Sequence, residues 1–430
     1  MSDSTGGGGQ GKTFQFRDGY QLPPGLRPTP DGAGDGRHYV YRDGEILCAI
    51  EDLPLIRDRL DQRGWRVPLP DERNPRDTAL EALKMTRCLL QAGESVPDVV
   101  GELRTPVLRR FPSGETREVV PRVFPDVALP LQYHASWHPA GSRRSAPRLG
   151  ELPTRRLLPL PGSGVTVGVI DTGMPAAPMD WFRGRCESRP VDEDPLGDGS
   201  GNLTQTDGHG RFIAGIVLRY APGARVKVRR LPDQFHDWVT DSELAPAILA
   251  LANEGVDIIN LSVSGSTHEN TGLGATQSVI ADLRFTHPKV VVVVAAGNAG
   301  VDARQYPGAL ANTISVGAVN QDDNSRPEFS NFGEWVNASA PGVDVHSIFV
   351  EGHDEHDQYS GYARWSGTSF AAPTVAAAIA TTLSPGGWRQ FLWFLRPRTA
   401  FEAAFRLISD STRSRAPGSG TIVRPPAYVS

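Results

Sequence analysis

The stretch RWSGTSFAAPTVAAAIA, Arg364 to Ala380, sets Ser369 ahead of an alanine-rich run that carries no charge from Thr374 to Leu383. Two uses fit a serine there. It can cap the helix that the small residues predict, because a hydroxyl at a helix N-terminus accepts an otherwise orphaned backbone N–H. Pro373 suits that helix's first turn, where a missing N–H removes no intrahelical bond. The serine can also attack a carbonyl, but only with help: an imidazole must take its proton, and a carboxylate must hold the imidazole's tautomer and orientation. The chain has both. His209 stands between two glycines in TDGHGRFIAG, where backbone and reactants can approach closely, and Asp171 ends the apolar run VTVGVID. Asn298 closes VVVVVAAGN and can donate its side-chain N–H to the oxyanion of an acyl transfer. The backbone N–H of Ser369, at the positive end of a helix, is a second donor. Taken singly, each residue also has a plainer use, as a turn or cap residue. As a set they contain every part of an acyl-transfer site.

Such a site needs its parts delivered to one edge. VTVGVID, VDIINLSVSG and KVVVVVAAGN are short apolar runs, and DSELAPAILALANEG and TGLGATQSVIADLRFTH between them read as helices. This alternation, with strands apolar on both faces, predicts a parallel sheet covered by helices. Ligands bind such sheets outside the carboxyl ends of the strands. There is no internal repeat.

With these motifs in order, the region from about 165 to 385 resembles the subtilisin-like serine peptidases, the subtilase family. The resemblance runs through VGVIDTG, DGHG, INLSVSG, AAGN, YPGALANTISVGAV, FSNFG, ASAPG and SGTSFAAPT. His209 follows Asp171 by 38 positions (209 minus 171) and Ser369 follows His209 by 160 (369 minus 209), gaps similar to the family's. The resemblance implies that Asp171 orients His209, His209 is general base and then general acid, Ser369 forms the acyl-enzyme and Asn298 stabilises the oxyanion. It also implies that Ser262, Val263 and Ser264 hold an extended peptide substrate by backbone hydrogen bonds, with Gly297 beside them. No cofactor and no metal is expected. Four departures stand out. Arg211 and Phe212 follow His209 in HGRFIAG and predict a bulkier, cationic rim; Phe370 replaces the commonest Met after the nucleophile; Ser264 replaces a usual Gly; and the Asn-rich loop that binds calcium in many secreted members is missing after GIVLRY. The acidic run VDEDPLGDGSGN, Val191 to Asn202, lacks EF-hand spacing and reads as a solvated loop.

The chain has 430 residues, enough for a catalytic core and an additional region. With 44 basic and 49 acidic residues its net charge is -5, too balanced to make nucleic acid or a membrane surface the defining partner. The expected partners are a protein or peptide substrate in extended conformation and an activator or inhibitor acting through the N-terminal region. Three cysteines, far apart in sequence, argue against a disulfide scaffold or structural zinc. The first residues do not read as a secretory signal, and no apolar run reaches membrane-spanning length, so a cytoplasmic location is expected.

The expected architecture is α/β, a parallel sheet sandwiched by helices and preceded by a small α+β region. Residues 1–14 read as disordered, 15–137 as a regulatory domain (propeptide-like or docking), 138–164 as a Pro/Gly/Arg-rich linker, 165–385 as the peptidase and 386–430 as a C-terminal helix and tail. Within the N-terminal region, HYVYRDGEILCAI reads as two strands turning at Asp43-Gly44. EDLPLIRDRLDQRG reads as a helix with Leu53, Ile56 and Leu60 on one face, DTALEALKMTRCLLQAG as a second helix, and the following stretch as β-like pieces. Two other functions remain open from sequence: a catalytically silent fold that binds extended segments, and a narrow-specificity effector protease of a bacterial defence system.

Overall fold

The computed structural model describes residues 22–29, 39–130, 160–174, 182, 184–194, 196, 203, 206–231, 238–353, 358–384, 397–410, 412–415 and 418–425. The expected disordered N-terminus, most of the expected linker, and the aromatic run at 385–396 lie outside them.

Residues 22–130 contribute β1 (Leu26–Pro28), β2 (Val40–Ala49), α1 (Leu53–Arg63), α2 (Pro75–Ala82), β3 (Met85–Leu89), α3 (Val96–Leu103), β4 (Val107–Arg110), β5 (Thr116–Val119) and β6 (Val123–Pro130). Then come β7 (Thr166–Asp171), β8 (Cys186–Glu187), α4 (His209–Tyr220), β9 (Arg225–Arg230), β10 (Trp238–Thr240), α5 (Asp241–Asn253), β11 (Ile258–Leu261), α6 (Gly274–Thr286), β12 (Val291–Ala295) and β13 (Thr313–Val319). The chain continues through β14 (Ala338–Pro341), β15 (Val345–His353), β16 (Gln358–Trp365), α7 (Thr368–Leu383), α8 (Ala400–Ser409) and β17 (Thr421–Ile422).

The central sheet is parallel, in the order β17-β14-β13-β12-β11-β7-β9-β8. Its strands β7, β11 and β12 read as near-continuous apolar runs because both faces are covered. Side chains alternate across a strand, so Val167, Val169, Ile258, Val291 and Val293 enter one core with α4, α7, α8 and the β15–β16 hairpin. Ile170, Ile259, Leu261, Val292 and Val294 enter the opposite core with α5 and α6. That second core also holds Ile46, Leu47, Val127 and Leu129, so the N-terminal sheet packs on the helices of the larger part. The two regions even share a sheet, since β10 pairs antiparallel with β6 in the order β1-β2-β6-β10, and β3 pairs with β2.

The N-terminal region corrects three expectations. Val40–Ala49 is one strand, with Asp43-Gly44 forming a kink rather than a hairpin turn. Gly44 adopts φ +73°, and the β2–β6 register shifts between Tyr41 and Ile46. Pairing with β6 on both sides of the kink outweighs the local turn preference. The second helix stops at Ala82, Lys84 turns with φ +57°, and Met85–Leu89 pairs with β2. The helix α3 was not anticipated. Val96, Val99, Val100 and Leu103 are buried at helical spacing, and Pro97 sits in the first turn, where a proline is tolerated.

Candidate active site

Asp171 leaves the carboxyl end of β7, and His209 begins α4, with Gly208 before it at φ +74°. Asp171 Oδ1 accepts from the Thr172 backbone N–H at 2.8 Å and lies 2.7 Å from His209 Nδ1. The approach of strand and helix depends on Gly210, where a Cβ would meet the Gly173 carbonyl oxygen at 2.5 Å. His209 is 1% exposed. Trp365 stands edge-on to its ring at 5.3 Å between centroids, and Phe370 lies at 5.4 Å. Its Nε2 has no hydrogen-bond partner among the described residues. Phe370, in the first turn of α7, brings that helix's N-terminus up to the imidazole, and Ser369, the residue before it, is buried. The cap reading of Ser369 is not realised: Gly367 is the N-cap.

Asn298 follows β12. Its Oδ1 accepts from both the backbone N–H and the hydroxyl of Thr368, each at 2.9 Å, and this fixes which way the amide faces. Its Nδ2 is buried and has no partner among the described residues. Thr368 Oγ1 also accepts from the Gly297 N–H at 3.0 Å. Asn331, in FSNFG, was not singled out from sequence although it holds this loop: Oδ1 accepts from Ala299 and Val301 at 3.1 Å, and Nδ2 donates to the Ala296 carbonyl at 2.9 Å.

Ser262, Val263 and Ser264 run on from β11 and are buried. The Ser262 hydroxyl donates to the Ser369 carbonyl at 3.2 Å, so this segment abuts the α7 N-terminus. Ser264 Oγ would lie 2.5 Å from a Cβ placed on Gly297; the serine occupies the room that this glycine leaves. Gly265 pairs with Tyr306, and a Cβ on it would touch Leu129 Cδ2 at 3.0 Å. The end of β6 therefore lies against the segment, while along β10 the same residues pair as Ala128 with Thr240, Leu129 with Val239 and Pro130 with Trp238.

Two side-chain expectations are corrected. Arg211 is not a cationic rim: it is 5% exposed, lies over the Phe182 ring at 5.9 Å, and burial lowers its pKa. The acidic run is not wholly solvated either. Asp192 is buried, bonds Arg189 and the Arg230 N–H, and is held below its ordinary value: its hydrogen bonds and charges outweigh the upward push of burial. Asp194 is buried with its carboxyl pushed up to about 7 by burial. Nothing in the sequence spacing distinguished these two from their exposed neighbours. Cys48, Cys88 and Cys186 are free thiols, and burial raises the last two to about 12. Among the described residues there is no His/Cys/Asp/Glu group suited to a metal and no helix long and apolar enough to cross a membrane.

Residues 162–405 match the model of the subtilase family, Peptidase_S8. The chain belongs to the subtilase family. Its subtilase domain is 33% identical over 231 residues to Subtilisin BL from Lederbergia lenta, covering 51% of this chain and 77% of that one. It is 32% identical over 234 residues to the thermophilic serine proteinase of Bacillus sp. (strain AK1), covering 52% of this chain but only 53% of the relative, about half its length. In fold it is similar to the protease domain of PatA, with a TM-score of 0.52 and 23% identity over 62% of this chain and 94% of that one. The subtilase domain is thus of the serine-type endopeptidase class, and its parallel sheet between helices is the fold expected from the sequence.

Proposed function

We propose that this chain hydrolyses peptide bonds through Asp171, His209 and Ser369, with an acyl-enzyme intermediate. Ser369 Oγ attacks the scissile carbonyl while His209 Nε2 takes its proton; Asp171 stabilises the imidazolium that forms. The oxyanion is met by Asn298 Nδ2 and the backbone N–H of Ser369. His209 then gives its proton to the leaving amine, and water hydrolyses the ester by the same steps. The observation that carries this reading is the buried 2.7 Å contact of Nδ1 with Asp171, which leaves Nε2 as the nitrogen open to a reactant. A fluorophosphonate probe should label the active form at Ser369, and Ser369→Ala should abolish both labelling and peptide hydrolysis. Hydrolysis that survives the substitution would rule the mechanism out. A wild-type protein that binds peptides but neither hydrolyses them nor labels at Ser369 would instead favour the silent-binding alternative.

The substrate proposed is an extended peptide beside Ser262, Val263, Ser264 and Gly297. Residues 15–137 are proposed as the regulatory region, propeptide-like or docking, through which an activator or inhibitor acts. This is supported by the placement of Leu129 against Gly265 and along β10, because a segment seated there competes with a strand added by substrate. Trans-inhibition of a small-peptide assay by added N-terminal region tests it; no inhibition at any concentration counts against it. A cytoplasmic site of action belongs to the same proposal, supported by three cysteines kept as thiols, and cell fractionation tests it.

A further inference from the structure

A carboxylate outside the proposed triad ties the triad's two loops together. Asp194, 4% exposed, accepts from the Gly208 N–H at 2.9 Å and from the Thr172 hydroxyl at 3.2 Å, both through Oδ2. Thr172 Oγ1 in turn accepts from the Gly210 N–H at 3.0 Å. The residues on either side of His209 are therefore bonded to one carboxylate, directly at Gly208 and through Thr172 at Gly210. Thr172 is also the residue after Asp171, and its N–H bonds Asp171 Oδ1. Asp194 is itself fixed, because its N–H donates to the Met174 carbonyl at 2.9 Å and the Met174 N–H donates to the Asp192 carbonyl at 3.0 Å. Gly173 permits this packing: a Cβ there would meet the Asp192 carbonyl oxygen at 2.4 Å.

We propose that Asp194 is a positioning residue for the reaction, holding the Asp171 and His209 loops in the register at which Nδ1 meets Asp171. This rests on the triad reading above. Asp194 touches neither Asp171 nor His209 by side chain, so its effect passes through Thr172, Gly208 and Gly210. A buried carboxylate bonded to the Gly208 N–H and the Thr172 hydroxyl costs desolvation that only well-placed donors offset. Ordering the imidazole before substrate arrives is where such an arrangement acts on rate, since small misplacements of catalytic groups cost large factors.

The test compares Asp194→Ala, Asp194→Asn, Thr172→Val and the control Asp192→Asn in the full-length protein. Asp192 comes from the same segment but bonds Arg189 and the Arg230 N–H instead. The readouts are kcat and KM on a peptide substrate, the rate of fluorophosphonate labelling at Ser369, and the downfield proton resonance of His209 Nδ1–H. Asp194→Ala should lower kcat and labelling by on the order of 10²-fold with KM little changed, and Asp194→Asn, which keeps one acceptor oxygen, should recover part of the loss. The double variant with Thr172→Val should be no worse than Asp194→Ala, and the Nδ1–H resonance should move in both Asp194 variants but not in Asp192→Asn. The proposal is overturned if Asp194→Ala labels at the wild-type rate, or if Asp192→Asn lowers kcat equally. Should Asp194→Ala fail to fold, an unmoved resonance and wild-type kcat in Asp194→Asn overturn it alone. If no form of the wild-type protein labels at Ser369, the triad reading has failed, a result distinct from labelling that ignores Asp194.

Discussion

At the scale of single residues, the site is defined by polar atoms held ready and unused. Asn298 turns its carbonyl to Thr368 and leaves Nδ2 bare, so Asn298→Leu should lower kcat by about 10²–10³-fold with little change in KM, measured by steady-state kinetics on one peptide. A raised KM at unchanged kcat would mean that the amide serves binding alone. Ser264 fills the room beside Gly297, and Ser264→Gly should shift preference toward bulkier side chains before the scissile bond, read from cleavage of a peptide library. Phe370, packed on His209, removes the thioether that the family commonly places there. Phe370→Met should therefore make activity sensitive to peroxide, because methionine oxidises to a polar sulfoxide. The residue types of these positions were legible in the sequence. Asp192, Asp194 and Asn331 were not, because a carboxylate or amide in a polar run looks the same whether it meets solvent or a buried N–H.

At the scale of elements, strand ends and helix starts do the positioning, and their approach is set by what is missing as much as by what is present. Gly210 lets α4 meet the turn after β7; Gly210→Ala should reduce kcat far more than it lowers the melting temperature, seen by comparing kinetics with thermal unfolding. Helix N-termini are bonded across elements as well. Asp241 starts α5, yet its carboxylate accepts from the Ala275 and Thr276 N–H groups at 2.8 Å, capping α6. Burial pushes this carboxyl up to about 6. Its pKa is higher folded than unfolded, so the stability it contributes is complete at low pH and is lost as pH rises through about 6. The melting temperature of wild type minus that of Asp241→Asn should therefore fall between about pH 4 and pH 7 and stay level above. A difference that is flat or rises across this range would contradict the assignment. The strands and helices around the site were readable from apolar periodicity. The missed helix α3 and the truncated second helix came from the N-terminal region, where pairing partners on both sides of β2 override local preference.

At the scale of the whole molecule, the N-terminal region and the subtilase domain meet through a shared core and a buried set of charges. Arg42 lies 2.9 Å from Glu243, 3.3 Å from Asp126 and 3.4 Å from Glu45, and Asp126 accepts from the Ser242 N–H and hydroxyl at the start of α5. Removing one partner leaves the others buried and uncompensated, so Arg42→Ala should cost about 3–5 kcal/mol. It should also expose residues 22–130 to limited proteolysis before the subtilase domain. If that region restrains the site, small-peptide hydrolysis should rise in the same variant; unchanged hydrolysis after release would separate docking from regulation. The sequence by itself determined the α/β class, the order of the chemical residues and the edge of the sheet they share, because apolar periodicity and short motifs are local properties of a chain. Only the tertiary structure decided that β10 completes the N-terminal sheet, that Leu129 lies against Gly265, that Arg211 is interior, and that Asp194 bonds the two loops of the site. Each of these depends on which distant segments become neighbours and lose water together, and no local pattern of residues encodes that.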